Sequence, residues 1–147
     1  MKVFLDTNVL AAGLATRGLC SDIIRETLEN HELITSLEIL AELNRILRKK
    51  FKVPAEQVED VLELIHSSGQ ISEPNAQATF EIADQDDVPH LSAAETAKCE
   101  CFATGDKELW SVSPVGTMQV LSPRDFWEAI QTQPWSRGYA DKPRPSD

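Results

Sequence analysis

Cysteine is scarce in this chain. Three thiols, Cys20, Cys99 and Cys101, among 147 residues are odd in number and too few for a disulfide framework, which fits a reducing compartment. Long apolar runs are missing as well. Nothing approaches the ~20 uninterrupted apolar residues of a membrane-spanning helix, so no membrane partner is expected. The opening segment MKVFLDTNVLAAG carries Asp6 and Asn8 where a signal peptide would hold its apolar stretch. The expectation is a soluble, cytoplasmic protein. Basic charge is short too: 14 Lys and Arg stand against 24 Asp and Glu, a net charge of −10. That balance argues against coating nucleic acid through bulk charge.

What is present suits one globular domain. The length falls in the range of a single core, and a hydrophobic content of 41% excludes wholesale disorder. The charge is unevenly placed. Residues 45–52 hold five bases and no acid, whereas residues 53–100 hold eleven acids and one base, a segment charge equal to that of the whole chain. Part of that segment is expected to be a solvated helix face, and part needs another explanation.

Lys2 to Leu5 is a short apolar run ending in Asp6-Thr7-Asn8, which reads as a buried strand entering a polar turn. Ser21 and Asp22 cap an expected helix to about Asn30, and Leu33 to Thr35 is an expected strand. Leu37, Leu40, Leu43, Ile46 and Leu47 recur at spacings of three and four, predicting an amphipathic helix from Leu37 to about Lys50. A second runs from Ala55 to about Ser67, with Glu56, Glu59, Asp60 and Glu63 on its outer face. Gln70 to Ser72 is a weak strand and Ala83 to Asp87 a loop. His90 to Lys98 is helical, Cys101 to Thr104 and Met118 to Leu121 are strands, and Ser122 to Ile130 is a closing helix. Strands separated by helices predict an α/β domain with a mostly parallel sheet over residues 1–130. Pro134, Gly138, Pro143 and Pro145 suggest a loose tail over 131–147.

The acids carry the chemistry. Asp6 directly follows the first strand, and Asp106 follows a later one by a single glycine. In open α/β sheets ligands bind at the carboxyl ends of strands, near the point where the strand order reverses. Either aspartate alone serves equally well as a helix N-cap. Two facing carboxylates, however, repel unless a cation lies between them. Asp84, Asp86 and Asp87, just before a helix, exceed what a cap requires, and Asp87 is best placed to reach inward. Glu42 sits beside the buried stripe of its helix, while Glu38 suits the helix dipole. Hard oxygen ligands from several elements suit Mg²⁺ or Mn²⁺, ions that act in phosphodiester hydrolysis.

Together these residues resemble a known family. Asp6-Thr7-Asn8, Glu42 in Ser-Leu-Glu-Ile-Leu-Ala-Glu-Leu, Asp87 in Asp-x-Asp-Asp-x-Pro-x-Leu, and Thr104-Gly105-Asp106-Lys107-Glu108-Leu109 are similar to PIN-domain proteins. More narrowly, they resemble the VapC-like ribonuclease toxins of bacterial toxin–antitoxin pairs. The resemblance covers residues 1 to about 130. It implies an α/β/α sandwich around a parallel sheet, a Mg²⁺- or Mn²⁺-dependent endoribonuclease, a cognate antitoxin and frequent homodimers. It also implies that Asp6, Glu42, Asp87 and Asp106 form the catalytic, metal-holding quartet. Thr104 then supports the site and Asn8 orients Asp6. Asp84 or Asp86 is an alternative to Asp87, though the spacing to Leu91 and Asp106 favours Asp87.

Other residues weigh less. Arg45, Arg48, Lys49, Lys50 and Lys52 suit a helix C-terminus, and they also offer a phosphate-contacting lip beyond Glu42. Lys107 is a further phosphate contact or a solvated base. Cys99 and Cys101 alternate on a strand, so at most one should face the core. His90 reads as a helix-start residue. Trp110, Trp127 and Trp135 read as packing anchors. Two competing functions use related patterns: an aspartate phospho-acceptor receiver domain, and a PIN-like RNA- or protein-binding module without catalysis. A receiver wants paired acids after the first strand, where this chain has one. The intact quartet argues against the second.

Overall fold

The structure is a computed structural model describing residues 1–132. Its first strand, β1 (Lys2–Leu5), buries Val3, Phe4 and Leu5 completely. Side chains alternate across a strand, so three buried in succession mean that the sheet is covered on both faces. Beside it β2 (Glu32–Thr35), β3 (Gln70–Ile71), β4 (Cys101–Ala103) and β5 (Gln119–Leu121) complete a five-stranded sheet in the order β3-β2-β1-β4-β5, every pairing parallel. Phe4 lies opposite Phe102 in register, and their rings stack at 5.1 Å.

The strand order explains where a site forms. The chain moves outward from β1 through β2 to β3, then returns across the sheet to β4 on the other side of β1. The carboxyl ends of β1 and β4 therefore flank a reversal of direction, the crevice of a doubly wound sheet. Helices α1 (Thr7–Ala15), α2 (Leu19–Asn30), α3 (Leu37–Lys49), α4 (Ala55–Ser68), α5 (Val88–Thr96), α6 (Lys107–Trp110) and α7 (Pro123–Thr132) make the outer layers of an α/β/α sandwich. α1 packs between α2 and α3, α7 lies against α2, and α5 crosses the sheet past β2.

Several expectations need adjusting. Asp6-Thr7-Asn8 is no open turn: α1 starts at Thr7, with Asp6 accepting the Thr7 N–H as its cap. Its residues Val9, Leu10 and Ala11 are buried, and α2 lies so close that a Cβ on Gly13 would sit 2.4 Å from Ile24 Cδ1. α2 begins at Leu19, ahead of the expected cap, because Ser21 Oγ accepts the Gly18 N–H at 3.0 Å. α5 is shifted toward its N-terminus, and Gln85–Asp87 is a single 3₁₀ turn. Cys99 and Cys101 are both buried, whereas at most one was expected inside. Positions two apart in extended chain share a face, so Cys99 and Cys101 point the same way, and that face of the sheet is covered. Trp110 and Trp127 pack against the core as expected. α7 carries the helix past the expected boundary at 130, and the rest of the tail, with Trp135, lies outside the described residues.

Candidate active site

At the end of β1 the Asp6 N–H donates to the Ala103 carbonyl at 3.0 Å, tying this residue to β4. The Asp6 carboxylate is 6% exposed and held on both oxygens. Oδ1 accepts the Thr7 N–H at 2.8 Å, and Oδ2 accepts the Thr104 hydroxyl at 2.7 Å. Thr104 is fully buried just beyond β4, and its Oγ1 also accepts the Asp106 N–H at 3.1 Å. The Trp110 indole donates to the Thr104 carbonyl at 2.8 Å. One threonine thus links the two strand-end aspartates, Asp6 directly and Asp106 through its backbone. Asp106 Oδ1 accepts the Glu108 N–H at 3.0 Å, capping α6. The capping and ligand readings are compatible here, because each cap uses one carboxylate oxygen.

The 3₁₀ turn before α5 separates the three clustered aspartates. Asp84 caps that turn by accepting the Asp86 N–H at 2.9 Å, and both residues are exposed. Asp87 begins α5 and makes no side-chain cap, so its half-buried carboxylate is left for the crevice. Burial pushes it from the usual 3.8 up to about 6. The charges of Asp6, Asp84 and Asp106 add to that rise, and His90, when charged, opposes it. Asp87 therefore shares one field with Asp6 and Asp106.

Glu42 reaches the same region from α3. Its Oε2 lies 2.7 Å from Nε2 of His90, and its Oε1 receives a long contact of 3.4 Å from the Thr7 hydroxyl. Glu38, one turn earlier, joins Glu42 and His90 in a group whose donor atoms lie within 4.8 Å of one another. Among the described residues Asp6, Asp87 and Asp106 do not close into such a group. A cleft of about 380 Å³ runs along this acidic wall, lined by Glu38, Glu42, Asp84, Asp87 and His90 with Arg45 at its side. In the sequence His90 reads only as a helix-start residue and Thr7 has no role of its own, whereas both meet Glu42 in the fold. The signal was positional: His90 lies three residues after Asp87 at the start of one helix, as Glu38 lies four before Glu42.

The remaining candidates sit further out. Asn8 is exposed, and the hydrogen bonds that orient Asp6 come from Thr7 and Thr104 instead. Arg48 bonds Asn44 on its own helix at 2.7 Å, and the Lys50 ammonium lies 5.6 Å from the Phe51 ring centroid. Lys49 and Lys107 are exposed and stand outside the residues lining the cleft.

The strand-end acids and the reversed strand order agree with a comparison of the sequence to known families: the PIN_3 family model, a PIN domain, matches residues 2–108. The chain belongs to the PIN-domain family. No curated protein sequence matches it. The match spans β1 through the start of α6, so all four acids fall within the PIN domain. PIN domains are generally nucleases, and PIN nucleases act on RNA with divalent metals. The donor set of this PIN domain fits such an ion. Its carboxylates are hard oxygen ligands, they raise the proton affinity of Asp87, and none of Asp6, Asp87 and Asp106 is paired with Lys or Arg among the described residues. No helix among the described residues is long and apolar enough to cross a membrane.

Proposed function

We propose that this PIN-domain protein is a Mg²⁺- or Mn²⁺-dependent endoribonuclease, acting in the cytoplasm as the toxin of a toxin–antitoxin pair. The observation that carries the reading is the placement of Asp6 and Asp106 at the adjacent ends of β1 and β4, where the strand order reverses, with Asp87 in their field and Glu42 in contact with Thr7. A divalent cation there supplies water activation and charge neutralisation for phosphodiester hydrolysis. Asp6, Asp87 and Asp106 hold the ion, and Glu42 binds it or orients the water. Thr104 fixes Asp6 by its 2.7 Å hydrogen bond. Arg45, whose exposed guanidinium borders the acidic cleft, contacts a substrate phosphate. Arg48, Lys49, Lys50 and Lys107 extend that contact outward, and Asn8 borders the site from the first turn of α1.

The toxin assignment rests on the motif set from Asp6-Thr7-Asn8 to Thr104-Gly105-Asp106. It implies a cognate antitoxin and a homodimer. The test of the activity is cleavage of single-stranded RNA by wild type and Asp106→Asn, each with Mg²⁺, with Mn²⁺ and with EDTA. Asparagine retains the oxygen that caps α6, so the fold should survive the substitution. Cleavage by wild type with metal, lost in EDTA and in the variant, supports the proposal. Equal cleavage in every arm removes the metal mechanism, and no cleavage by wild type removes the nuclease.

A further inference from the structure

His90 is 3% exposed, and its two ring nitrogens meet different surroundings. Nε2 lies 2.7 Å from Glu42 Oε2. Nδ1 is buried with no hydrogen-bond partner among the described residues. Any form of the ring that carries hydrogen on Nδ1 therefore buries an unpaired donor, which folded proteins rarely tolerate. The Nε2–H tautomer avoids this by directing its hydrogen at Glu42. Metal coordination through Nε2 demands the opposite tautomer, with Nδ1–H normally held by a carboxylate or carbonyl. The fold supplies neither at Nδ1. With the Nε2–H tautomer, the closeness of Glu38, Glu42 and His90 is that of a hydrogen bond to Glu42 rather than of three metal ligands.

We propose that His90 is a positioning residue whose Nε2–H holds the carboxylate of Glu42 in place. Thr7 Oγ1 approaches the other oxygen, so Glu42 is clamped between the first turns of α1 and α5. The short start of α5 then does two things at once: it presents Asp87 to the crevice and fixes Glu42 on the facing helix α3. The catalytic consequence rests on the nuclease reading, but the hydrogen bond does not.

The experiment begins with nitrogen-15 NMR of the histidine rings in the full chain, without metal and with Mg²⁺. The Nε2–H tautomer of His90 is expected in both samples. An Nδ1–H tautomer in either overturns the proposal, since it would leave Nε2 free to act as a ligand. This readout is independent of RNA cleavage, so an inactive wild type defeats the nuclease reading and leaves the tautomer result standing. Where wild type cleaves, His90→Leu and His90→Gln are compared, both shown to be folded by thermal unfolding. His90→Leu should lower kcat about 10- to 100-fold, and His90→Gln, which retains an N–H donor, should recover most of it. KM should stay within about twofold in both. Equal kcat in the two variants overturns the positioning role.

Discussion

Thr104 shows how much a single buried side chain carries at this edge of the sheet. Its hydroxyl donates to Asp6 and accepts from the Asp106 backbone, so its loss strands a carboxylate oxygen and an N–H together. Thr104→Val, nearly the same shape, is expected to cost about 1–3 kcal/mol in urea unfolding, while Thr104→Ser stays close to wild type. Asp87 gives a second residue-scale prediction, in pH. Its folded-state value of about 6 lies above the ordinary 3.8, so between those values the folded protein binds a proton that the unfolded chain has released. Stability of the metal-free protein should therefore fall as pH rises from about 4 to about 6 and then level off at this group. Asp87→Asn should flatten that slope in unfolding curves taken across the window; an unchanged slope would place the titration elsewhere. Asp6, Asp87 and Asp106 stand out in the sequence because each follows a strand or opens a helix, and Glu42 because it borders a buried stripe. Which of Asp84, Asp86 and Asp87 turns inward was not legible, since one 3₁₀ turn decides it. His90 is where the sequence puts it, at a helix start, but a lone histidine there gives no sign of Glu42, the residue it meets across the fold.

Among the elements, α3 was readable from its apolar spacing: Leu43 and Leu47 are buried and Leu40 and Ile46 half-buried, whereas Leu37, at the helix start, is 62% exposed and Ile39 is buried in its place. α1 was hidden for a physical reason: Thr7-Asn8 looks like a turn, and the residues after it are too uniformly apolar to show a periodic face. Gly13 is a point where α1 and α2 touch closely. A methyl group there would meet Ile24 Cδ1 at 2.4 Å and the Cys20 carbonyl oxygen at 2.7 Å, and the second is backbone that cannot swing aside. Gly13→Ala should push α1 from α2 and cost roughly 1–3 kcal/mol, despite alanine's better helix propensity. Because α1 starts at Asp6 and Thr7, RNA cleavage should fall with stability. A variant as stable as wild type would show that the two helices can separate freely.

The whole molecule brings the net charge of −10 back into view. Eleven of its acids fall between residues 53 and 100, divided mainly between the exposed face of α4 and the turn before α5. The basic run of 45–52 is less available than its count suggests, since Arg48 bonds Asn44 and Lys50 lies over Phe51. Arg45 alone among these bases lines the cleft. On the proposed reading, RNA contact is local and depends on an ion among the carboxylates rather than on a broad basic surface. The parallel sheet and its layers were legible from the alternation of strands and helices. The strand order that makes the crevice was not, because short runs such as Gln70–Ile71 carry no mark of their neighbours. The most direct test of the central claim is Mn²⁺ binding at neutral pH, followed by electron paramagnetic resonance, for wild type and Asp6→Asn. Asparagine keeps the shape and the oxygen that accepts the Thr7 N–H, while its amide removes the charge and replaces the acceptor of the Thr104 hydroxyl with a donor. Wild type should bind the ion, and the variant should bind it at least about 10-fold more weakly. Equal affinity in the two proteins would contradict a metal centre built on the end of β1.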